Sequence, residues 1–248
     1  MSIRTLYPGD IFAKSNDGIE NIAVTGGDGL LSKELKKCDP NLKLFDKKTV
    51  DVRNHRTFKY LHLFDTIIHT AALIDNTKTD KRRSEFIETN IIGTANLAQY
   101  CIEMDKRLIY ISTDYVYDGD GPHKESDSIN PYNLYAWSKL GGESSVKFVP
   151  NHVIIRTSFG KSKFPYKNGY DNLYTSKDYV DVIAPLIMKV VGKSDFVGTI
   201  NVGTDRKTTY DYATKRNKNI NKISLDRTKD FSLITDKLNN LIWKRREI

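Results

Sequence analysis

Short runs rich in β-branched residues alternate with longer helical segments along this chain, and this alternation most restricts its fold. It is typical of βαβ units, in which helices connect parallel strands. The run over residues 65–72 is almost entirely apolar, as in strands buried on both faces of a sheet. The sequence therefore predicts an α/β protein with a parallel sheet.

The predicted elements follow one another without a repeat or a low-complexity linker. Strands are predicted over 21–25, 42–45, 65–72, 107–112, 152–156 and 198–202, and helices over 29–37, 84–104 and 132–147. Irregular sequence is concentrated after residue 156.

A glycine-rich turn lies between the first predicted strand and its helix. Gly26 and Gly29 have the spacing of the first two glycines of a TGxxGxxG pattern, and Ser32 occupies the third position. A turn at this place can offer backbone N–H groups to a pyrophosphate. An ordinary strand–helix turn is the alternative. Combined with the parallel sheet, the turn predicts a Rossmann-type doubly wound fold, with Gly26, Gly29 and Leu30 as candidate cofactor-binding residues.

The end of the second predicted strand bears on the choice between NADH and NADPH. Asp46 could accept hydrogen bonds from the adenine ribose, which favours NADH, or be a solvated turn residue. Lys47 and Lys48 could instead pair with a 2′-phosphate, which favours NADPH. Both cofactors stay open, with NADPH slightly favoured. Asp51 and Val52 follow closely and could reach the adenine.

Tyr135 and Lys139 are candidates for proton transfer. They are four residues apart on a predicted helix, so both project from one face. A free tyrosine has a pKa of about 10, and a nearby ammonium or a nicotinamide cation would favour its phenolate. Thr113 ends the preceding strand and could hydrogen-bond a substrate oxygen beside the tyrosine, or cap a turn.

Six short motifs follow one another along the first two thirds of the chain. They are residues 25–29 (TGGDG), 69–72 (HTAA), 90–94 (NIIGT), 112–116 (STDYV), Tyr135 with Lys139, and 155–158 (IRTS). In this order, the chain resembles the dTDP-4-dehydrorhamnose reductase family, from about residue 21 to about 160 and more weakly beyond. The family belongs to the extended short-chain dehydrogenases.

The resemblance implies a catalytic role for three residues. Tyr135 would donate a proton to a carbonyl oxygen as hydride arrives from the nicotinamide, with Thr113 beside it. Lys139 would hold the nicotinamide ribose and bias the pKa of the tyrosine. Asn90 would support the proton-relay side of the site.

The resemblance also implies binding roles. Ala71 and Ala72 would line the pyrophosphate and ribose. Residues facing the sugar would be Asp114, Tyr115, Val116 and Phe159. The implied substrate is a nucleotide-linked 6-deoxysugar whose keto group, at C4 by the family's example, is reduced with NADPH or NADH, as in dTDP-L-rhamnose-type biosynthesis.

One position separates reduction from dehydration. Sugar-nucleotide dehydratases of the superfamily carry Thr-Asp-Glu where this chain has Thr113, Asp114 and Tyr115, so a second carboxylate is missing. Two alternatives stay open: a non-catalytic, NADP-binding regulatory subunit like those of methionine adenosyltransferase, and a nucleotide-sugar epimerase.

The resemblance and the turn divide the chain into three parts. Residues 1–20 are expected to be an N-terminal extension, 21–155 an NAD(P)-binding core, and 156–248 mainly a small substrate-binding lobe interleaved with late core strands. A homodimer is left open.

The amino-acid composition indicates the cellular location and excludes some kinds of site. Among 248 residues we find no apolar run of 18 and only two cysteines, so we expect a cytoplasmic protein without membrane span, disulfide or metal site. The net charge is +8, with basic residues dense after Asp205. No nucleic-acid motif accompanies them, so we interpret them as a solvated face of a protein with polyanionic ligands.

Overall fold

The fold is taken from a computed structural model, which describes residues 21–74 and 82–243. The expected N-terminal extension, residues 1–20, and the basic tail after Trp243 lie outside the described residues.

A six-stranded parallel sheet forms the centre. Its strands are β1 (Ile22–Thr25), β2 (Lys43–Phe45), β3 (Thr66–His69), β4 (Arg107–Ile111), β5 (His152–Thr157) and β10 (Gly198–Val202). The strand order is β10-β5-β4-β3-β1-β2, and every neighbouring pair is parallel. The predicted Rossmann-type doubly wound sheet is confirmed.

The order of strands places the ligand crevice. From β1 the chain passes to β2 at one edge, whereas β3 lies on the other side of β1 and the chain then continues toward β4. Ligands of such sheets bind outside the carboxyl ends of the strands at this reversal. The crevice therefore lies between the loops that follow β1 and β3.

Helices cover both faces of the sheet. They are α1 (Leu30–Cys38), α2 (Arg83–Phe86), α3 (Gly93–Glu103), α4 (Leu134–Val146), α5 (Val180–Val191), α6 (Thr209–Thr214) and α7 (Asp236–Trp243). Neighbouring strand residues point to opposite faces. Val24 therefore joins the apolar cluster that contains residues of α1 and α5, whereas Ala23 joins the one beneath α3.

The helix predicted over 84–104 is interrupted. A π-helical segment, Ile87–Ile92, lies between α2 and α3, and its residue Asn90 is fully buried. Such segments are rare and often occur at functional sites. The periodicity predicted a helix here but could not reveal the wider turn.

The chain beyond residue 156 is more regular than predicted. It contains α5, whose apolar side chains at residues 183, 184, 187 and 190 are fully buried on the sheet. This helical spacing was readable in the sequence. Seven short strands complete the region: β6 (Phe159–Gly160), β7 (Asn168–Tyr170), β8 (Leu173–Thr175), β9 (Asp178–Tyr179), β11 (Lys207–Thr208), β12 (Asn221–Ile223) and β13 (Lys229–Phe231).

Part of the basic excess is neutralised within the fold. Lys215 pairs with Asp178 at 2.7 Å, and Arg216 pairs with Asp181 at 2.7 Å. Over residues 21–74 and 82–243, no helix combines the length and apolar character needed to span a bilayer.

Candidate active site

The turn after β1 is held by backbone geometry that requires glycine. Gly26 has φ +75°, and a Cβ there would lie 2.7 Å from the backbone N and Cα of Ala71. Ser32 donates from Oγ to the Gly26 carbonyl at 2.8 Å, so the serine at the third pattern position closes the turn instead of weakening it. Gly29 is the N-cap of α1, and no side chain caps the helix. The N–H groups at this end remain available to an anion.

Replacing Gly26 by alanine is expected to abolish dinucleotide binding and to destabilise the fold by about 1–3 kcal/mol. The left-handed backbone and the contact with Ala71 both oppose a side chain there. Titration with NADPH, followed by nicotinamide fluorescence, and urea unfolding measure the two effects. Gly192→Ala is the matched control, because its Cβ would meet nothing closer than 3.6 Å. Unchanged NADPH affinity in Gly26→Ala would contradict the assignment.

The residues after β2 adopt a tight turn. Asp46 accepts hydrogen bonds on one carboxylate oxygen from the Thr49 amide (2.9 Å) and hydroxyl (2.8 Å). These bonds lower the pKa of Asp46, and its second oxygen is not used by them. Lys47 and Lys48 are exposed on the same turn. Asp46 therefore keeps one carboxylate oxygen for a ribose hydroxyl, and Lys47 and Lys48 are placed to meet a 2′-phosphate.

A cavity of about 380 Å³ opens beyond this turn. It is lined by Asp51, Arg53, Asn54, Glu88 and Ile92. Arg53 contacts both oxygens of Asp51, at 2.9 and 2.6 Å, so this carboxylate is already paired. The side chain of Val52 is buried against Gly93, so very little of its surface is exposed to an adenine.

The predicted catalytic pair lies at the beginning of α4. Asn133 caps this helix by accepting from the amide of Ala136 at 2.8 Å. Lys139 is buried, with Nζ 4.0 Å from the ring centre of Tyr110. Burial lowers the pKa of Lys139 to about 7, against the opposing effect of Glu143 one turn further on.

Tyr135 is held in its neutral form. Burial and the charge of Asp114 raise the pKa of Tyr135 above its ordinary value. The resemblance implied that Lys139 would bias this pKa toward the phenolate. The surrounding protein groups have the opposite effect, because they remove water and add a negative charge. The neutral phenol is the form that can donate a proton.

Asn90 connects the loop after β3 with α4. Its Oδ1 accepts from the Leu73 amide at 2.7 Å, and its Nδ2 donates to the Leu73 carbonyl at 3.0 Å and to Ser138 Oγ at 2.8 Å. Ser138 in turn donates to the Tyr135 carbonyl at 2.7 Å. The half-buried Ala71 and Ala72 directly precede this anchored segment. Asn90 thus fixes the loop beside the tyrosine.

Of the residues that follow β4, some lie at the crevice and others are buried in the core. Thr113 caps the turn that follows, accepting from the Tyr115 amide at 3.3 Å, and donates to Asp114 at 3.3 Å. Tyr115 packs its ring 5.3 Å from that of Phe231 in the C-terminal part. Val116 is fully buried with Tyr117, so the predicted sugar contact of Val116 is wrong for its side chain.

Two further predicted residues lie at the rim of the crevice. Phe159 is half-buried in β6, which follows β5 and pairs with β9. Leu30 is the first residue of α1 and is 38% exposed. Both positions are accessible to a ligand.

A buried ion pair behind Lys139 was not predicted from the sequence. Arg156 contacts both carboxylate oxygens of Glu143, at 3.1 and 2.8 Å, and both residues are about 1% exposed. Ser112 donates to the same carboxylate at 2.5 Å. Glu143 follows Tyr135 by eight residues and Lys139 by four, so helical spacing alone could have placed it on the catalytic face.

Comparison with known proteins gives a consistent result. A model of the family described as the RmlD substrate binding domain matches residues 20–186. A dTDP-4-dehydrorhamnose reductase of Mycolicibacterium smegmatis is 26% identical over 193 residues, 73% of this chain and 59% of that protein. Methionine adenosyltransferase 2 subunit beta of Xenopus tropicalis is 32% identical over 145 residues, 50% of this chain and 41% of that protein. The chain thus spans less than two thirds of these relatives.

A solved structure is similar over most of the chain. The dTDP-4-dehydrorhamnose reductase of Bacillus anthracis in complex with NADP superposes with a TM-score of 0.76 at 27% identity. The similarity covers 89% of this chain and 90% of that one.

Proposed function

This chain belongs to the RmlD substrate binding domain family, and we propose that it reduces a keto group of a nucleotide-linked 6-deoxysugar with NADPH or NADH. The observation that carries the proposal is the position of Tyr135 and Lys139. They start α4 beside the loop that Asn90 anchors, and that loop packs on the glycine turn.

The glycine turn fits a dinucleotide. Only a residue without Cβ can approach Ala71 as closely as Gly26 does, and the uncapped start of α1 suits a pyrophosphate. Gly29 and Leu30 begin this helix, and Ala71 and Ala72 form the opposite wall. The similar B. anthracis reductase was solved with NADP, which supports NADPH as the first cofactor to test.

The proposed reaction needs a proton donor at the carbonyl oxygen. The nicotinamide, when bound, supplies a hydride to the carbonyl carbon. Tyr135 donates its hydroxyl proton to the carbonyl oxygen, and Thr113 hydrogen-bonds that oxygen from the end of β4. Lys139 holds the ribose, and its pKa of about 7 lets it return a proton toward the tyrosine near neutral pH.

Reduction at C4 is proposed in preference to dehydration. Elimination of water needs a further acid–base carboxylate, and the residue after Asp114 is Tyr115, whose ring packs on Phe231. Tyr115 and Phe159 are the residues we propose to face the sugar. The homodimer and the cytoplasmic location remain predictions.

The direct test mixes the protein with NADPH, and separately with NADH, and adds a dTDP-linked 4-keto-6-deoxyhexose together with its 3,5-epimerase. We expect absorbance of the reduced nicotinamide at about 340 nm to fall, faster with NADPH. Reactions without the keto-sugar, and with epimerase alone, are the controls. Confirmed cofactor binding with no loss of absorbance would contradict the proposed reaction.

That negative outcome would favour a second function. The similarity to the X. tropicalis subunit beta supports a role as a non-catalytic, dinucleotide-binding subunit. The intact set Thr113, Tyr135 and Lys139 speaks against it, because a regulatory subunit needs no proton donor.

A further inference from the structure

Tyr110 is a tyrosine of β4 that the proposed reaction does not yet use. Its side chain is fully buried, and its ring packs 5.5 Å from that of His69 on the neighbouring strand β3. Its hydroxyl donates to the backbone carbonyl of Lys139 at 3.1 Å. A Cβ on Gly142 would overlap this hydroxyl, so the glycine of α4 makes room for it. Tyr110 is therefore fixed directly against the part of α4 that carries Lys139.

The ring of Tyr110 also contacts the side chain of Lys139. Nζ of the lysine lies 4.0 Å from the ring centre, within the distance of about 6 Å at which an aromatic face attracts a cation. Both side chains are shielded from water, since neither residue is more than 1% exposed. In the described part of the chain, no carboxylate lies within ion-pair distance of this Nζ, and Glu143, one turn further along α4, is bound to Arg156.

We propose that Tyr110 is a positioning residue that holds the Lys139 ammonium against its ring and stabilises the charged form of this lysine, an inference that rests on the proposed reduction. The negative face of the ring attracts a cation far more than a neutral amine. The hydroxyl fixes the backbone of the same lysine. Tyr110 does not touch the carbonyl that is reduced in this scheme; it acts through Lys139.

The other titratable groups around Lys139 do not replace this ring. Burial lowers the pKa of Lys139 to about 7, and Glu143 only partly offsets this fall. His69 is neutral near pH 7, because burial and the charge of Lys139 lower its pKa to about 3. Tyr110 and Tyr135 stay neutral phenols, since burial raises the pKa of each. The Tyr110 ring is thus the group in contact with Nζ that favours the ammonium.

The proposal predicts how Lys139 titrates. Only the ammonium can return a proton toward the Tyr135 phenolate; the lysine then becomes a neutral amine and regains its proton from solvent. Removing the ring removes an attraction that favours the ammonium, so the pKa of Lys139 should fall. A desolvated cation–π contact is large enough to lower this pKa by about one unit. At pH 7 the charged fraction of Lys139 would then decrease from about half to about one tenth.

NMR titration of Lys139 tests the contact without cofactor or substrate. The protein is labelled with ¹³C at lysine Cε, and Lys139→Arg identifies the Lys139 signal. In Tyr110→Leu we expect the midpoint to lie about one pH unit below that of the unmodified chain. Tyr110→Phe keeps the ring and should leave the midpoint within about 0.3 units. An unchanged midpoint in Tyr110→Leu, or an equal fall in Tyr110→Phe, would overturn the proposal, whether or not the chain proves to be a reductase.

A fluorinated ring separates the electrostatic effect from packing, and it provides the same comparison if Tyr110→Leu folds poorly. Pentafluorophenylalanine at position 110 has nearly the shape of phenylalanine but an electron-poor face, so it should lower the midpoint at least as far as leucine does. The same amino acid at position 58 is the matched control, because Phe58 is also buried and its ring packs on Tyr100, at 5.4 Å. It should leave the Lys139 midpoint unchanged. If the fluorinated ring at position 110 gives the midpoint of Tyr110→Phe, the ring does not act as proposed.

The pH dependence of turnover then tests the link to the reaction. The decline of kcat/KM with rising pH should move about one unit lower in Tyr110→Leu and stay in place in Tyr110→Phe. Asp114, whose pKa burial raises to about 7, titrates in the same range, and its contribution should be the same in both variants. A profile unchanged in Tyr110→Leu would overturn the positioning role. Absence of any reduction by the unmodified chain would instead overturn the proposed function, and the NMR midpoints would still decide whether Tyr110 stabilises the Lys139 ammonium.

Discussion

Replacing Tyr135 by phenylalanine is expected to lower kcat for keto-sugar reduction by about 100- to 10,000-fold. The substitution removes the hydroxyl that donates the proton and leaves the ring in place. Tyr135 is neutral in the fold, since burial and Asp114 raise its pKa, so no buried charge is lost. Steady-state turnover and NADPH titration together measure the effect, and NADPH affinity should stay within about threefold.

The control for this variant is Tyr60→Phe. Tyr60 is 48% exposed and precedes β3, away from α4. It should retain full turnover. A Tyr135→Phe protein that reduces the keto-sugar at the normal rate would refute the role of Tyr135 as donor.

Replacing Glu143 by glutamine is expected to lower the free energy of unfolding by about 3–5 kcal/mol. The change leaves the Arg156 guanidinium buried without its carboxylate, and it weakens the acceptor of the Ser112 hydroxyl. Lys139 also loses the carboxylate that raises its pKa, so it should be less charged at pH 7. Urea unfolding monitored by circular dichroism measures the stability.

Two comparisons isolate the cause. Glu103→Gln makes the same chemical change at an exposed position and should alter stability by less than about 0.5 kcal/mol. The double replacement Glu143→Leu with Arg156→Met removes both charges and should recover much of the loss. If Glu143→Gln is as stable as the unmodified chain, the pair does not contribute as argued.

Much of the sheet was predictable because its signal is local. The strands inside the sheet are buried on both faces, so each is visible in the sequence as a short, mostly apolar run. The same applies to the glycine turn, where a left-handed residue in close contact with Ala71 can only be glycine. The helix α5 was missed although its apolar spacing was equally local.

The candidate site was predictable only in part. Tyr135 and Lys139 share a helix, so their proximity is a matter of spacing. Val116 appeared equally suited to a ligand, yet the short helical turn Asp114–Val116 directs its side chain into the core. The direction of such a turn depends on what packs against it.

By itself, the sequence determined the alternation of strands and helices, the glycine turn and the tyrosine–lysine pair, because these depend on neighbours within a few residues. Only the tertiary structure brought Arg156 to Glu143. These residues are 13 positions apart, and the pair forms where α4 packs against β5. Burial lowers the pKa of Lys139 beside this pair, and burial is a property of the whole fold, which no local pattern encodes.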